Sequence, residues 1–303
     1  MMHARTSPAA KRALLRERLA TAAEPLRLPG AFNPLSAKLI EEAGFEGVYV
    51  SGAVLSADLG LPDIGLTTQT EVALRAGQVA RMTELPTVVD ADTGFGEPMN
   101  VARTVQVLED NGLAGCHIED QVNPKRCGHL DGKETVDTAT AVKRIRAAVD
   151  ARRDGNFLVI ARTDVRAAEG LTGAVARAKA LVDAGADMIF PEAMADLAEF
   201  EAVACSVEVP VLANMTEFGR SALFTVRQLG DAGVRMVIYP VTLLRLAMGV
   251  AERALGVLAA QGTQADLVPE MQTRARLYDL VDYAAYNAFD DEIFTYRPDP
   301  SEG

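Results

Sequence analysis

Cysteine and histidine are scarce in this sequence, with three of each in 303 residues. Cys116, Cys127 and Cys205 stand at unrelated spacings, which argues against a disulfide framework and a CxxC zinc site and fits a reducing compartment, the cytoplasm. Three histidines, with His3 close to the N-terminus, are too few to suggest a histidine-based zinc centre. No run of about 18 apolar residues occurs, and the early basic residues are not followed by an apolar stretch. Neither a membrane span nor a secretion signal is expected. Positive charge is also short: 30 Lys and Arg against 42 Asp and Glu leave a formal charge of −12, which opposes nucleic acid as a partner. An anionic small molecule stays open, because one local arginine can hold a carboxylate against the global field. A GxSxG elbow, a P-loop and a strand-linked GxGxxG are all missing, and Gly94-Phe95-Gly96 has a different spacing. Elbow-type hydrolases and nucleotide-binding folds lose ground accordingly.

What the chain does have is apolar residues, 49 % of the total, enough to bury one large core in a single domain spanning 1–303. Short apolar runs predict strands at 27–32, 47–52, 86–92, 115–120, 157–164, 188–193, 209–216 and 236–242. Between them lie helical stretches such as 141–151, 174–184 and 225–232, with glycine closing phrases like Asp183-Ala184-Gly185. Eight βα units predict an α/β fold, a (β/α)8 barrel; a doubly wound sheet would produce a similar string. The polar residues favour the barrel. They fall at the C-terminal ends of many strands (Asp90-Ala91-Asp92, Glu119-Asp120, Arg162-Thr163-Asp164, Glu192, Asn214-Met215-Thr216), where barrel enzymes build their sites. An amphipathic helix at about 7–21 and a helical segment at about 268–290 flank the repeat. Their apolar positions need a covering surface, on this chain or on a second copy.

Asp90 and Asp92, at i and i+2, leave one face of a strand and need compensation for their like charges. A hard divalent cation supplies it, and Mg2+ suits a few carboxylates with retained waters. Glu119 and Asp63 can complete such a shell through water. Cys127, within Lys125-Arg126-Cys127-Gly128-His129, has cationic neighbours that stabilise a thiolate, and nearby glycines suggest a mobile loop over 121–137. Cys116 and Cys205 read as structural. Arg162 has a fork suited to a carboxylate, with a salt bridge to Asp164 or Glu192 as the rival reading. Asn214 and Thr216 offer neutral donors, and Ser51, Gly52 and Ala53 a hydroxyl and backbone N–H groups. His117 reads as packing or support rather than as a ligand.

Over nearly its whole length the chain resembles the isocitrate lyase and phosphoenolpyruvate mutase superfamily, most closely the 2-methylisocitrate lyase branch. The resemblance rests on Tyr49-Val50-Ser51-Gly52, Leu59-Gly60-Leu61-Pro62-Asp63, Asp90-Ala91-Asp92-Thr93-Gly94-Phe95-Gly96, His117-Ile118-Glu119-Asp120-Gln121, Lys125 to His129, Ala161-Arg162-Thr163-Asp164, Phe190-Pro191-Glu192 and Asn214-Met215-Thr216-Glu217. It implies a barrel whose late helix is exchanged between subunits of a homotetramer. It also implies Mg2+ or Mn2+ bound at Asp90, with Asp63, Asp92 and Glu119 assisting directly or through water. Ser51, Gly52 and Ala53 would hold the pyruvate end of a tricarboxylate. Arg162 and Glu192 would organise the centre, and Asn214, Thr216, Gly128, His129 and Arg245 would hold the succinate end. Cys127 would be the catalytic acid/base, Tyr49 a candidate base for the hydroxyl proton, and Phe190, Ile238 and Pro240 a recess for a methyl group. The implied activity is cleavage of 2-methylisocitrate to pyruvate and succinate, in the methylcitrate cycle of propionate catabolism. The alternatives are lyases for isocitrate or 2,3-dimethylmalate, and less closely the phosphonopyruvate and oxaloacetate enzymes, which lack the Cys-Gly-His loop.

Overall fold

The computed structural model of the chain describes residues 4–126, 128 and 132–296. Cys127 and His129, the expected acid/base and one of its neighbours, lie outside the described residues. Eight parallel strands form one sheet: β1 (Leu26–Pro29), β2 (Val48–Val50), β3 (Thr87–Asp90), β4 (Gly115–Glu119), β5 (Leu158–Thr163), β6 (Met188–Pro191), β7 (Val211–Asn214) and β8 (Val234–Tyr239). Their order is β1-β8-β7-β6-β5-β4-β3-β2. The last seam is closed by a parallel bridge between Gly30 and Tyr49, where the Ala31 N–H donates to the Tyr49 carbonyl at 2.8 Å. A Cβ on Gly30 would stand 2.0 Å from the Pro240 carbonyl oxygen. Only glycine lets three strand ends meet there, and the barrel closes as expected.

The helices are α1 (Pro8–Thr21), α2 (Pro34–Glu42), α3 (Gly52–Asp58), α4 (Gln69–Ala80), α5 (Pro98–Asp110), α6 (Thr138–Ala151), α7 (Arg166–Asp183), α8 (Leu197–Ala204), α9 (Val226–Asp231), α10 (Thr242–Gln261), α11 (Arg274–Leu280) and α12 (Tyr283–Thr295). Local chemistry sets their starts. Ser7 caps α1 ahead of Pro8, and capping boxes open α4 at Thr68 and Glu71 and α9 at Thr225 and Gln228. Helix α7 begins well before the expected 174, with a break at Gly170 (φ 66°) that interrupts its apolar period.

The expected strands run past the observed C-terminal ends, for instance to residue 92 rather than Asp90 and to 242 rather than Tyr239. The chain leaves the ladder at these ends: Glu192 and Thr216 turn toward the barrel mouth, while Asp92 enters positive φ and Asp120 pairs with Thr163 and Arg177. Within the ladders the period of two holds. Val88, Leu158, Ile160, Met188, Phe190, Leu212, Met236 and Ile238 fill the barrel interior, while Val89, Cys116, Ile118, Val159, Ala161, Ile189 and Val237 pack outward beneath the helices. Cys116 is thus a small apolar core residue, as anticipated.

Candidate active site

At the C-terminal mouth a cavity of ≈ 310 Å³ is lined by Tyr49, Ser51, Ala53, Asp63, Asp90, Lys125, Gly128, Arg162, Phe190, Glu192, Asn214, Thr216, Pro240 and Arg245, with the 217–219 turn and Val241 at its rim. The elements explain the convergence. Asp90 and Glu192 end β3 or follow β6, Arg162 lies near the end of β5, and Asn214 and Thr216 end and follow β7. Lys125 and Gly128 come from the segment after β4. That segment is tied at its base, where Gln121 bridges Thr135, the Val122 N–H donates to the Glu134 carbonyl at 2.8 Å, and Arg144 donates to the Gln121 carbonyl at 2.8 Å.

The acidic side of the cavity centres on Asp90. Its Oδ2 accepts from the Gly52 N–H at 3.2 Å and its Oδ1 from the Asp92 N–H at 2.9 Å. A Cβ on Gly52 would lie 2.8 Å from Asp90 Oδ2, so the glycine in this motif is required by a carboxylate pressed against the backbone. Burial pushes the Asp90 carboxyl up, but the positive charges of protonated His117, Lys125 and Arg162 outweigh it and bring it to about 2. Asp92 is different. Its backbone is left-handed (φ 45°) and it lies beyond the ladder, so the same-face argument stops at Asp90, and Asp92 stands behind the cavity wall rather than on it. Burial, then the charge of Asp90, raises its pKa to about 6.

Lys125 answers both outer acids: its Nζ lies 2.9 Å from Asp92 Oδ1 and contacts Asp63 Oδ1. Although burial opposes its charge, the four surrounding carboxylates Asp90, Asp92, Glu119 and Asp63 push its pKa up, and it remains an ammonium ion. Lys125, one of the cations that the sequence places beside Cys127, is thus engaged by acids from two other loops. Among the described residues no three His, Cys, Asp or Glu side chains are arranged to hold one metal ion together. A shell of four direct carboxylate ligands is therefore not what the geometry offers. Three carboxylates against one ammonium, with Asp90 ionised at the cavity surface, still fit a hard divalent ion that keeps most of its waters.

Glu119 was expected beside the metal but faces Arg162, with Arg162 Nε at 3.3 Å from its Oε2. Neither of its oxygens makes a hydrogen bond of good geometry, and burial pushes its pKa well up. Arg162 is gripped on three sides. Its Nε and Nη2 reach Asp164 at 3.0 and 3.3 Å, Nη2 reaches Glu192 Oε2 at 3.2 Å, and its guanidinium lies 5.1 Å from the Phe190 ring centroid. The rival salt-bridge reading is therefore correct for this edge of the fork. Glu192 accepts from the Ala193 N–H at 3.0 Å and from Asn214 Nδ2 at 3.4 and 3.5 Å. Opposite, Arg245 Nη1 donates to Thr216 Oγ1 at 3.2 Å and to the Glu217 carboxylate at 2.8 Å.

Two further sets of contacts emerge only in three dimensions. Tyr49 Oη lies 2.6 Å from His117 Nε2, and His117 Nδ1 lies 3.6 Å from Asp90 Oδ1. Burial lowers the His117 pKa to about 4, so the ring is neutral at pH 7. With Nδ1–H facing Asp90, Nε2 accepts the Tyr49 hydroxyl proton. Burial, then Asp90, pushes the Tyr49 pKa well up. A phenol held as a donor in this way is poorly suited to the base role expected of it. Lys133, which the sequence did not single out, reaches the Gly128 carbonyl and, at 3.1 Å, Asp164 Oδ1. In the expected methyl recess, Phe190 and Pro240 line the cavity, but Ile238 is 1 % exposed and packs in the barrel interior behind it.

The chain is similar to known proteins in both sequence and fold. The family model described as phosphoenolpyruvate phosphomutase matches residues 15–258. A protein of Corynebacterium glutamicum named probable 2-methylisocitrate lyase 2 is 61 % identical over 97 % of this chain and 95 % of its own length. The solved structure of a 2,3-dimethylmalate lyase, in its trigonal crystal form, superposes with a TM-score of 0.86 at 34 % identity, covering 97 % of this chain and 99 % of that one. A phosphonopyruvate hydrolase solved with oxalate and Mg2+ superposes at 0.85 and 28 % identity, covering 94 % and 99 %. With eight parallel strands, one acid cluster at their carboxyl ends and a family model that spans all of them, the chain belongs to the phosphoenolpyruvate phosphomutase family.

Proposed function

We propose that the chain is a divalent-metal-dependent carbon–carbon lyase that cleaves 2-methylisocitrate to pyruvate and succinate. The observation that carries this reading is 61 % identity, over almost the full length of both chains, to a protein named as a probable 2-methylisocitrate lyase. The cavity fits such a substrate. It is acidic at the Asp90 end and offers Arg245, Asn214 and Thr216 at the other, so a molecule with carboxylates at both ends is held across it. Bound at Asp90 with Asp63 and Asp92 assisting through water, Mg2+ would polarise the substrate hydroxyl and its neighbouring carboxylate. The metal-bearing phosphonopyruvate hydrolase relative supports this assignment.

The residues of the chain do the rest. Ser51 and Ala53 orient the pyruvate portion, and Arg162, immobilised by Asp164 and Glu192, presents fixed positive charge to the reacting centre without reorganising. Scission of the C–C bond leaves the second fragment as the enediolate of succinate. Cys127, next in the chain to Gly128, delivers the proton that completes succinate. Tyr49, its one hydroxyl proton committed to His117, presents only an acceptor oxygen to the substrate hydroxyl on the pyruvate side. In the test, the Mg2+-supplied enzyme is offered 2-methylisocitrate, isocitrate and 2,3-dimethylmalate, and keto-acid release is followed. Pyruvate from 2-methylisocitrate in clear excess is expected; preference for either other substrate would replace the assignment.

We also infer a homotetramer in which α10 leaves its own barrel. This 20-residue helix has no buried residue and exposes Leu246 and Leu255 by 62 and 65 %. An apolar groove of ≈ 570 Å³, walled by Leu39, Ile40, Phe45, Val226, Tyr239 and Leu243, lies between α2 and α9. A second copy's helix fits both needs. Light scattering of the wild type and of Leu246→Glu is expected to show a tetramer and a smaller species; a monomeric wild type would end the inference.

A further inference from the structure

Resting on the reading that Arg245 receives the far carboxylate of the substrate, we propose that Phe218 is a positioning residue for Arg245 and, through it, a determinant of selectivity for molecules that carry that carboxylate. Phe218 stands in the 217–219 turn at the rim of the cavity. Its backbone is left-handed (φ 60°), a region that bulky residues rarely adopt, and it is 95 % exposed. Glycine or asparagine would form such a turn without that strain. An apolar ring presented to water on a strained backbone adds nothing to the core, so its use lies in what it faces. It faces Arg245, whose guanidinium carbon is 5.3 Å from the ring centroid.

The turn is a firm mount for that ring. On one side the Met215 N–H donates to the Ile238 carbonyl at 2.9 Å, and on the other Ser221 Oγ donates to the Met194 carbonyl at 2.5 Å. Glu217 fastens the turn to the start of α10 by accepting from Thr242 Oγ1 and, at 2.8 Å, from Arg245 Nη1. Arg245 Nη1 also donates to the Glu217 carbonyl at 2.7 Å and to Thr216 Oγ1 at 3.2 Å. All these contacts use Nη1 alone. Among the described residues, Nε and Nη2 of Arg245 meet no acceptor. They form an edge of the fork suited to gripping a carboxylate bidentately. A further carboxylate beside Arg245 would steady the side chain too, but it would consume those donors. A ring attracts the cation through its face and takes none of them. Phe218 thus holds the guanidinium while its open edge is left for the far carboxylate of the substrate.

Calorimetric titration of the Mg2+-supplied protein with succinate, and separately with pyruvate, reads the two ends of the cavity without any turnover. Phe218→Ala is expected to weaken succinate binding about three- to tenfold, the combined effect of losing an exposed cation–π contact and leaving one long side chain to be ordered on binding, with pyruvate binding unchanged. Phe218→Tyr should match wild type, and Phe218→Leu, apolar but without a π face, should match the alanine variant. Phe218→Gly, which also relaxes the backbone, should bind succinate as weakly as the alanine variant and yet unfold at no lower temperature than wild type. In steady-state cleavage, KM for 2-methylisocitrate should rise in the alanine variant by a similar factor with kcat little changed. Wild-type succinate affinity in the alanine variant, an equal loss of affinity for pyruvate, or a glycine variant that unfolds earlier would overturn the proposal. So would a wild type that does not bind succinate, or an alanine variant that forms a smaller assembly in light scattering, which would make the ring a subunit contact. Failure of the wild type to cleave 2-methylisocitrate, with the succinate titrations as expected, would remove the proposed function alone and leave the role of Phe218 standing.

Discussion

Gly128→Ala is the sharpest test of how the loop meets the site. The added methyl would stand 2.4 Å from Arg162 Nη2 and 2.6 and 2.8 Å from Glu192 Cγ and Cδ. Side-chain ends often yield to such a clash, but these cannot yield easily: Arg162 is held by Asp164, Glu119 and Glu192 at 3.0 to 3.3 Å, and Glu192 by the Ala193 N–H. The backbone itself does not object to alanine, because the φ of Gly128 is outside the left-handed region. The penalty is therefore steric and falls on the contact between Gly128 and the Arg162–Glu192 pair. Overpacking of this kind costs about 1 to 3 kcal/mol, which, felt as displacement of Arg162 and Glu192 from their working positions, lowers kcat/KM by roughly 5- to 150-fold. Global stability should barely change, since the contact lies at the barrel mouth and not in the core. The assay couples pyruvate release to NADH oxidation by lactate dehydrogenase, alongside thermal unfolding of the same preparation. Wild-type kcat/KM would refute the close approach, and a Tm loss large enough to explain the activity would refute its confinement to the site.

Further outcomes follow from the same geometry. Cys127→Ser should lower kcat by ~10² to 10⁴, the usual contribution of a positioned proton donor; full activity in steady-state turnover would remove Cys127 from the chemistry. His117 has its pKa lowered to about 4 from 6.5 by burial, so between these values the unfolded chain binds the extra proton, and this residue's contribution to stability is lost as pH falls through that window. Relative to wild type, His117→Gln should therefore gain up to about 3 kcal/mol in urea unfolding on going from pH 7 to pH 4; a pH-independent difference would show that the ring is not buried as a neutral group. Gly30→Ala drives a methyl to 2.0 Å from the Pro240 carbonyl at the barrel seam and should cost about 3 kcal/mol or more in chemical denaturation; an unchanged midpoint would mean that the seam is looser than described.

Much of the architecture was legible because it is written locally. Alternating apolar residues, capping residues such as Thr68 and Thr225, and glycines after helices predicted the eight βα units in order. The polar strand ends pointed to the mouth at which Asp90, Arg162, Glu192, Asn214 and Thr216 now meet. What misled was the assumption that a motif continues the geometry of the strand before it. Asp92 follows a turn into positive φ and leaves the face that Asp90 occupies. Ile238 belongs to the strand's inward set and so fills the barrel below the cavity rather than lining it. The pattern could not show that Lys125 turns toward acids from two other loops.

The sequence by itself determined the fold class, the strand that carries each functional group and the family, since these depend on local periodicity and on the identity of residues in short motifs. Only the tertiary structure decided which charges neutralise one another. Lys125 joins Asp63 and Asp92, Arg162 is shared among three carboxylates, His117 links Tyr49 to Asp90, and Lys133 spans Gly128 and Asp164. Apart from Arg162 with Asp164 and Lys133 with Gly128, which are neighbours in the chain, each pairing joins segments distant in sequence at a largely buried point, where desolvation makes an unpaired charge costly. Which partner satisfies it depends on where the closed barrel brings the strand ends together.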